Sequence, residues 1–474
     1  MSSVVHGWRS AVLAAAMAAS LGGAAGAADD MPPAQYQTLS HAILKQLVEI
    51  DSTHAHGSLV AAKAVAQRAL DAGYPAADVS VLAPPDHPTK GNAVIRLRGR
   101  GHGKPLLIMG HLDVVEANPR DWTTNPFQLV EKDGYFYGRG TEDMKGDDAL
   151  LLTVMIRLKQ EGYVPDRDII AAFTADEEAG GDANGVQWLF ATHHDLVDSD
   201  LALNLDGDGG ALKDGKPYFF GVETSEKLYA TYELETTNKG GHSSLPRKDN
   251  AIYELTAGLQ RLAAYSFPLH LIDTTRRYFT EVAKLRGDAV GADMLAVTGP
   301  DPDAAAARLS QDPVMNALLR TTCVTTMLRA GESESALPSR AHATVQCRLI
   351  PGETPEQTKA TLERVLADPT IHVSIDEPID PSPETPLTPE IQARYQRAAD
   401  SLWPNSRIIP DMTPGASDSV YARLAGVPSY VSGAIFFDID DSRAHGRDER
   451  VGIHDYYQGG EYLYRMIKVM AARP

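Results

Sequence analysis

The chain alternates short apolar runs with amphipathic stretches, and this texture predicts most of its elements. Apolar residues recur at helical spacing in YQTLSHAILKQLVEI and SLVAAKAVAQRALDAGY, so residues 34–74 read as helical. Continuous apolar runs follow in VSVLA, NAVIRLRG and PLLIMG, each short enough for a buried strand. DALLLTVMIRLKQ (148–160) reads as a buried helix, while DIIAAFTADEE and LALNLDGDGG read as buried strands that end in acids. Strands alternating with helices predict an α/β fold with a mostly parallel sheet. Ligands of such sheets collect at the carboxyl ends of the strands.

Near residue 223 the texture changes. KLYATYELETT alternates like an antiparallel strand, and the helix NAIYELTAGLQRLAAY follows. A polar, Asp- and Ala-rich stretch then runs over about 271–316. Beyond it lie the strands TTCVTTML and AHATVQCRLI, the helix TPEQTKATLERVLAD and the strand HVSIDE. Strand–helix–strand–strand–helix–strand is the order of a ferredoxin-like sandwich. After the Pro-rich stretch 379–388, α/β texture returns in PEIQARYQRAADSLW, VPSYVSG and DYYQGGEYLYRMIKVMAA. The expected organisation is one discontinuous α/β domain, 29–222 and 382–474, with a ferredoxin-like α+β domain, 223–381, inserted into it.

Composition narrows the class. The 474 residues are 43% hydrophobic and 23% charged, which is ordinary globular usage and excludes a disordered or collagenous chain. Lys+Arg is 44 and Asp+Glu 63, so the net charge is 44 − 63 = −19. A duplex nucleic-acid binder carries a basic surplus, so no nucleic-acid partner is expected. Residues 1–28 read as a signal peptide: Arg9, the short apolar core AVLAAAMAA, then the small-residue run Ala25-Gly26-Ala27. That core is shorter than the ~20 residues a membrane span needs. A retained anchor is the alternative. The mature chain is expected to be periplasmic or secreted, with no membrane span. In an oxidising compartment the two cysteines, Cys323 and Cys347, could pair; two buried free thiols are the other reading.

Several charged residues fall at predicted strand ends. His111-Leu112-Asp113 follows PLLIMG; Asp143 lies in the glycine-rich GRGTEDMKGDD; Glu177-Glu178 ends DIIAAFTADEE; Asp206 and Asp208 end LALNLDGDGG; His445 sits in a long loop. Individually each has a bland reading as a turn residue, a helix cap or a solvated acid. Together, three carboxylates and two histidines suit a divalent metal of zinc type. Two divalent cations, three carboxylates and one hydroxide sum to zero formal charge, so such a cluster can be buried without the cost of an isolated charge.

The motifs GHLDVV, GRGTEDMKG, TADEEAGG, NLDGDGG, GGHSSLP, CRLIPGET, GASDS and AHGRDERV occur in this order over nearly all of the mature chain. In them the chain resembles the co-catalytic zinc peptidases that include aminoacylase, carboxypeptidase G, carboxypeptidase S, acetylornithine deacetylase and carnosinase. The resemblance implies two divalent ions, zinc first, with manganese or cobalt possible. His111 and Asp206 would complete one metal site, Glu178 and His445 the other, and Asp143 would bridge them; Asp208 is the alternative to Asp206. Asp113 would hold His111 in its ligating tautomer. Glu177 would be the general base for a metal-bridged hydroxide. The resemblance also implies a cis peptide at Asp143–Met144 and an oxyanion donor, His242, on the inserted lid and dimerisation domain. Arg348 would clamp a substrate carboxylate, helped by backbone N–H groups of the Gly415 loop and of Gly433. Ser335 stands where many relatives carry Asn, which alters one substrate contact.

The expected activity is cleavage of amide bonds in small substrates with a free carboxylate: dipeptides, C-terminal peptide bonds or N-acyl amino acids. A homodimer through the inserted domain is expected. Two alternatives are an aminopeptidase of the same fold, which would need an acidic ammonium site in place of Arg348, and a non-catalytic periplasmic peptide-binding protein.

Overall fold

The computed structural model describes residues 30–179, 183–207, 209–376 and 383–473. The signal-peptide reading of 1–28 and the alternative ligand Asp208 lie outside the described residues, as does part of the Pro-rich stretch.

A large twisted sheet forms the first layer. From one edge its strands run Val79–Leu82, Asn92–Leu97, Ile169–Thr174, Leu106–His111, Leu201–Asn204, Ser429–Val431, Lys216–Glu226, Gly210–Lys213 and Phe437–Asp438; Ile408–Thr413 also pairs with Lys216–Glu226. The predicted mostly parallel sheet needs correction, because the sheet is mixed. Its centre is parallel, from Ile169–Thr174 through Leu106–His111 and Leu201–Asn204 to Ser429–Val431. Both flanks hold antiparallel pairs. Towards each edge antiparallel partners follow one another in sequence, as across the turn between Lys213 and Lys216, a connection too short for a parallel crossover.

The helices Ala34–Val48, Leu59–Asp71, Lys145–Gln160, Pro389–Asp400 and Ile453–Ala471 cover the sheet. Helix Lys145–Gln160 is buried over nearly its whole length, as its continuous apolar run requires. With the helices of the two chain ends it closes one apolar core over Leu106, Ile108 and Phe173.

A second, wholly antiparallel sheet has the order Thr322–Ala330, Arg340–Leu349, Leu228–Thr237, Ile371–Ile375. Helices Ala251–Ala263 and Pro355–Leu366 pack on it around a separate core that includes Tyr232, Leu255, Val345 and Leu362. Cys323 and Cys347 are disulfide-bonded, so the free-thiol reading does not hold. The cause is register: Cys323 lies directly opposite Cys347 on neighbouring strands. The polar stretch near 271–316 folds as four short helices, from Asp273–Arg286 to Pro313–Leu319. Their few apolar residues, among them Phe279, Val282 and Leu319, pack against Ile409 and Met412 of the large sheet.

Candidate metal centre

Two of the central parallel strands end level, at His111 and Thr174, and the third, Leu201–Asn204, stops two residues short of them. Register sets His111 beside Thr174 and Met109 beside Asn204. The residues just past those ends, Glu177, Glu178 and Asp206, therefore reach the same rim as His111. Asp143 comes from the loop that opens helix Lys145–Gln160, and its peptide to Met144 is cis. His445 comes from a loop late in the chain, with φ of 61°.

These side chains converge. His111 Nε2 lies 3.2 Å from Asp143 Oδ1 and 3.6 Å from Asp206 Oδ1. His445 Nε2 lies 3.0 Å from Asp143 Oδ2 and 2.9 Å from Glu178 Oε2. Asp143 thus turns one oxygen to each histidine. Ligand atoms of His111, Asp143 and Glu178 fall within 4.8 Å of one another, and so do those of His111, Glu177 and Asp206. His111 Nε2 and Asp143 Oδ1 are buried without a hydrogen-bond partner. Orphaned atoms of this kind, aimed at one point, fit a divalent cation.

The electrostatics agree with that fit. Burial alone would push the Asp143 carboxyl up, yet His111 and His445 hold it well below the usual carboxylate range. Asp143 and then Glu178 raise His445 to about 10. Burial opposes the charged form of His111, but Asp206 and Asp143 lift it well above its ordinary value. The cluster is a strongly negative field that attracts positive charge. Glu177 differs: burial first, then Asp206, pushes it well above the usual range, the direction useful in a group that exchanges protons near neutrality.

Asp113 acts through two groups. His111 Nδ1 donates to the Asp113 backbone carbonyl at 3.0 Å. A carbonyl only accepts, so Nδ1 carries the proton and Nε2 is left free to bind a metal. The expected carboxylate contact is longer, 3.8 Å. The Asp113 carboxylate instead accepts the backbone N–H groups of Glu177 and Glu178 at 3.3 and 3.1 Å, which fixes the turn that presents both acids.

The expected substrate-binding residues are more scattered. Arg348 stacks over Tyr229, 4.6 Å from the ring centroid. Burial lowers its pKa, while Tyr229 and Glu177 lie close enough to raise it. His242 is exposed on the short strand Gly241–His242, and its Nδ1 accepts from the Ser244 backbone. Nε2 therefore holds the ring proton, as a donor to an oxyanion must. The neighbouring Ser243 N–H donates to the Ser335 carbonyl. Of the backbone donors expected in the Gly415 loop and at Gly433, two are engaged within the chain. The Gly415 N–H donates to Thr413 Oγ1 at 3.1 Å, and the Gly433 N–H donates to the Gly207 carbonyl at 3.0 Å. Gly433 is instead needed for close approach, since a Cβ there would stand 2.2 Å from that carbonyl.

Sequence reasoning missed three supporting carboxylates. Glu449 is buried and accepts the backbone N–H groups of Gly140, Glu142 and Asp143, besides pairing with Arg139. Asp418 accepts from Asn184 at 2.5 Å, beside Thr174. Asp176, with φ of 63°, is paired with buried Lys90 just before Glu177. The only signal was membership of the motifs AHGRDERV, GASDS and TADEEAGG.

Two imidazoles and several carboxylates at the strand ends of an α/β sheet are the equipment of a metal-dependent hydrolase. The chain belongs to peptidase family M20/M25/M40, whose family model matches residues 107–469. It is a metallohydrolase of that family. It is similar to a probable carboxypeptidase S-like 2 of Dictyostelium discoideum, 30% identical over 77% of this chain and 71% of that protein. It is also similar to the human N-fatty-acyl-amino acid synthase/hydrolase PM20D1, 28% identical over 77% and 74%. Its fold matches the M20 family metallo-carboxypeptidase Sso-CP2 of Sulfolobus solfataricus, with a TM-score of 0.68 and 19% identity over 91% of this chain and 99% of that one.

Proposed function

We propose that this chain is an exported, dinuclear amide hydrolase of small substrates with a free carboxylate: dipeptides, C-terminal peptide bonds or N-acyl amino acids. The observation that carries the reading is Asp143, with one oxygen turned to His111 and the other to His445. His111 and Asp206 would hold one cation, Glu178 and His445 the second, and Asp143 both. The donor set suits zinc, and also manganese or cobalt. When bound, the metal pair supplies Lewis acidity and lowers the pKa of bound water toward ~7.

Glu177 takes the proton of the attacking water and delivers it to the leaving nitrogen. Asp113 keeps His111 and the Glu177–Glu178 turn in place. Arg348 clamps the substrate carboxylate. The inserted domain, 223–381, serves as lid and dimerisation unit, and its His242 donates to the oxyanion after closure or from a partner subunit. The disulfide between Cys323 and Cys347 supports export, since such bonds persist in oxidising compartments.

The test is Glu177→Gln, assayed with a panel of dipeptides and N-acyl amino acids. Turnover is expected to vanish while metal content stays near two ions per chain. Retained turnover refutes Glu177 as the base. Wild-type protein that hydrolyses nothing in the panel, metal-loaded or not, refutes the reading as a whole.

A further inference from the structure

A cavity of about 410 Å³ opens on the metal cluster at Asp143, Asp206 and His445, and Glu223 and Asp411 line it as well. Neither of these two acids has a part in the mechanism above. They come from neighbouring parallel strands, Lys216–Glu226 and Ile408–Thr413, whose register sets Asp411 directly beside Glu223. Like charges placed opposite each other weaken a sheet. The strand is irregular immediately after Asp411, between it and Met412, and such bulges re-aim side chains beside active sites.

Glu223 is the informative member. It is 9% exposed, and its Oε1 is buried with no hydrogen-bond partner. Its Oε2 lies beside Gly207, 3.9 Å from where a Cβ of that residue would stand, one position after Asp206. Burial, then Glu226 and Asp411, pushes Glu223 well above the usual carboxylate range. Arg423 opposes this shift from nearby, but its guanidinium is engaged elsewhere: it donates to Glu226 at 2.7 Å and to the Ser429 carbonyl. A buried acid with an unpartnered oxygen, in a cleft that reaches the residues of the metal cluster, is a candidate functional site.

We propose that Glu223 and Asp411 form a subsite for an ammonium group of the substrate, next to the metal centre. Because Glu223 adjoins the residue after Asp206, the group sits close to the scissile bond. In a small peptide that is the free α-amino group. Its three N–H donors would reach both carboxylates and satisfy the orphaned Oε1 of Glu223. An N-acylated substrate brings no charge and leaves Glu223 unpaired, so the subsite favours dipeptides over N-acyl amino acids. This assignment rests on the hydrolase reading above and narrows it to one substrate class.

The experiment compares kcat/KM of the metal-loaded protein for leucyl-alanine, N-acetyl-leucyl-alanine and leucyl-lysine in wild type, Glu223→Gln and Asp411→Asn. Wild type is expected to prefer the free dipeptide over its N-acetyl form, and each variant to shrink that preference about tenfold. If the variants instead shrink only the preference for leucyl-lysine over leucyl-alanine, the ammonium belongs to a side chain and the α-amino assignment is overturned. Ratios unchanged in both arms overturn the subsite. Hydrolysis of none of the three peptides by wild type strikes the hydrolase reading instead. Should the variants not fold, inhibition of wild type by leucinamide and by the same amide without its amine decides the matter. Stronger inhibition by leucinamide is expected, and equal inhibition overturns the subsite.

Discussion

Glu449 shows how a single buried acid shapes the centre. Its carboxylate collects the N–H groups of Gly140, Glu142 and Asp143 at 2.8–3.1 Å and pairs with Arg139 at 2.6 Å. Burial pushes it up to about 7, against the pull of Arg139 and those N–H groups. The loop that carries Asp143 therefore hangs on a residue four positions beyond His445. Groups that orient metal ligands are worth roughly 10–100-fold in metal affinity when removed. Glu449→Ala is expected to weaken metal binding by about that factor, read by competition with a chromogenic chelator. Glu449→Gln, which keeps an accepting oxygen, should fall between. Breaking the buried pair also costs about 3–5 kcal/mol, so the Gln variant carries the test if the Ala variant does not fold. Metal affinity equal to wild type in both variants would detach Glu449 from the centre.

At the scale of elements, the disulfide ties the edge strand Thr322–Ala330 to its neighbour Arg340–Leu349 across a sequence separation of 24. Closing a loop of that length stabilises by about 3 kcal/mol in the chain-entropy account. Cys323→Ser is expected to lower the stability of the chain by that order, measured by denaturant unfolding followed through its tyrosines. An unchanged midpoint would show that strand pairing alone holds this sheet together. The pairing was not legible in the sequence, because two cysteines in strand-like runs meet only if the register brings them together. The strand ends were legible: an apolar run stopping at acids or at His111 marks both a strand and its chemically active end. The helices of 273–319 were not, since DTTRRYFTEVAKLR buries only Thr274, Thr275, Phe279 and Val282 and is polar on average. Nor was the mixed sheet, whose flanking pairings are decided by tertiary packing. His445 lies in a loop without periodicity, so its residue type made it a candidate and the family resemblance alone gave it a place among the ligands. Glu449, within the charged run RDER, looks in sequence like any solvated acid.

At the scale of the whole molecule, the centre joins distant parts of the chain. His111, Asp143, Glu178 and Asp206 come from its first half, and His445 from its last thirty residues. Asp143, held by both histidines, is where these parts meet. Burial first, and neighbouring acids after it, raise Glu177 and Glu178 above the usual carboxylate range, so gathering these groups in the folded chain costs free energy that a bound cation offsets. Cations that bind this arrangement and not the unfolded chain must stabilise the fold, by ~2.7 kcal/mol for each site at a free concentration one hundred times its dissociation constant. The apparent Tm is therefore expected to rise with added zinc and to fall on dialysis against a chelator. His445→Ala should blunt the rise by removing one of the proposed ligands, which only the fold brings beside Asp143 and Glu178. A thermal midpoint indifferent to zinc and chelator in wild type would mean that the cluster binds no metal, since mass action permits no other result for a ligand held by the native state alone.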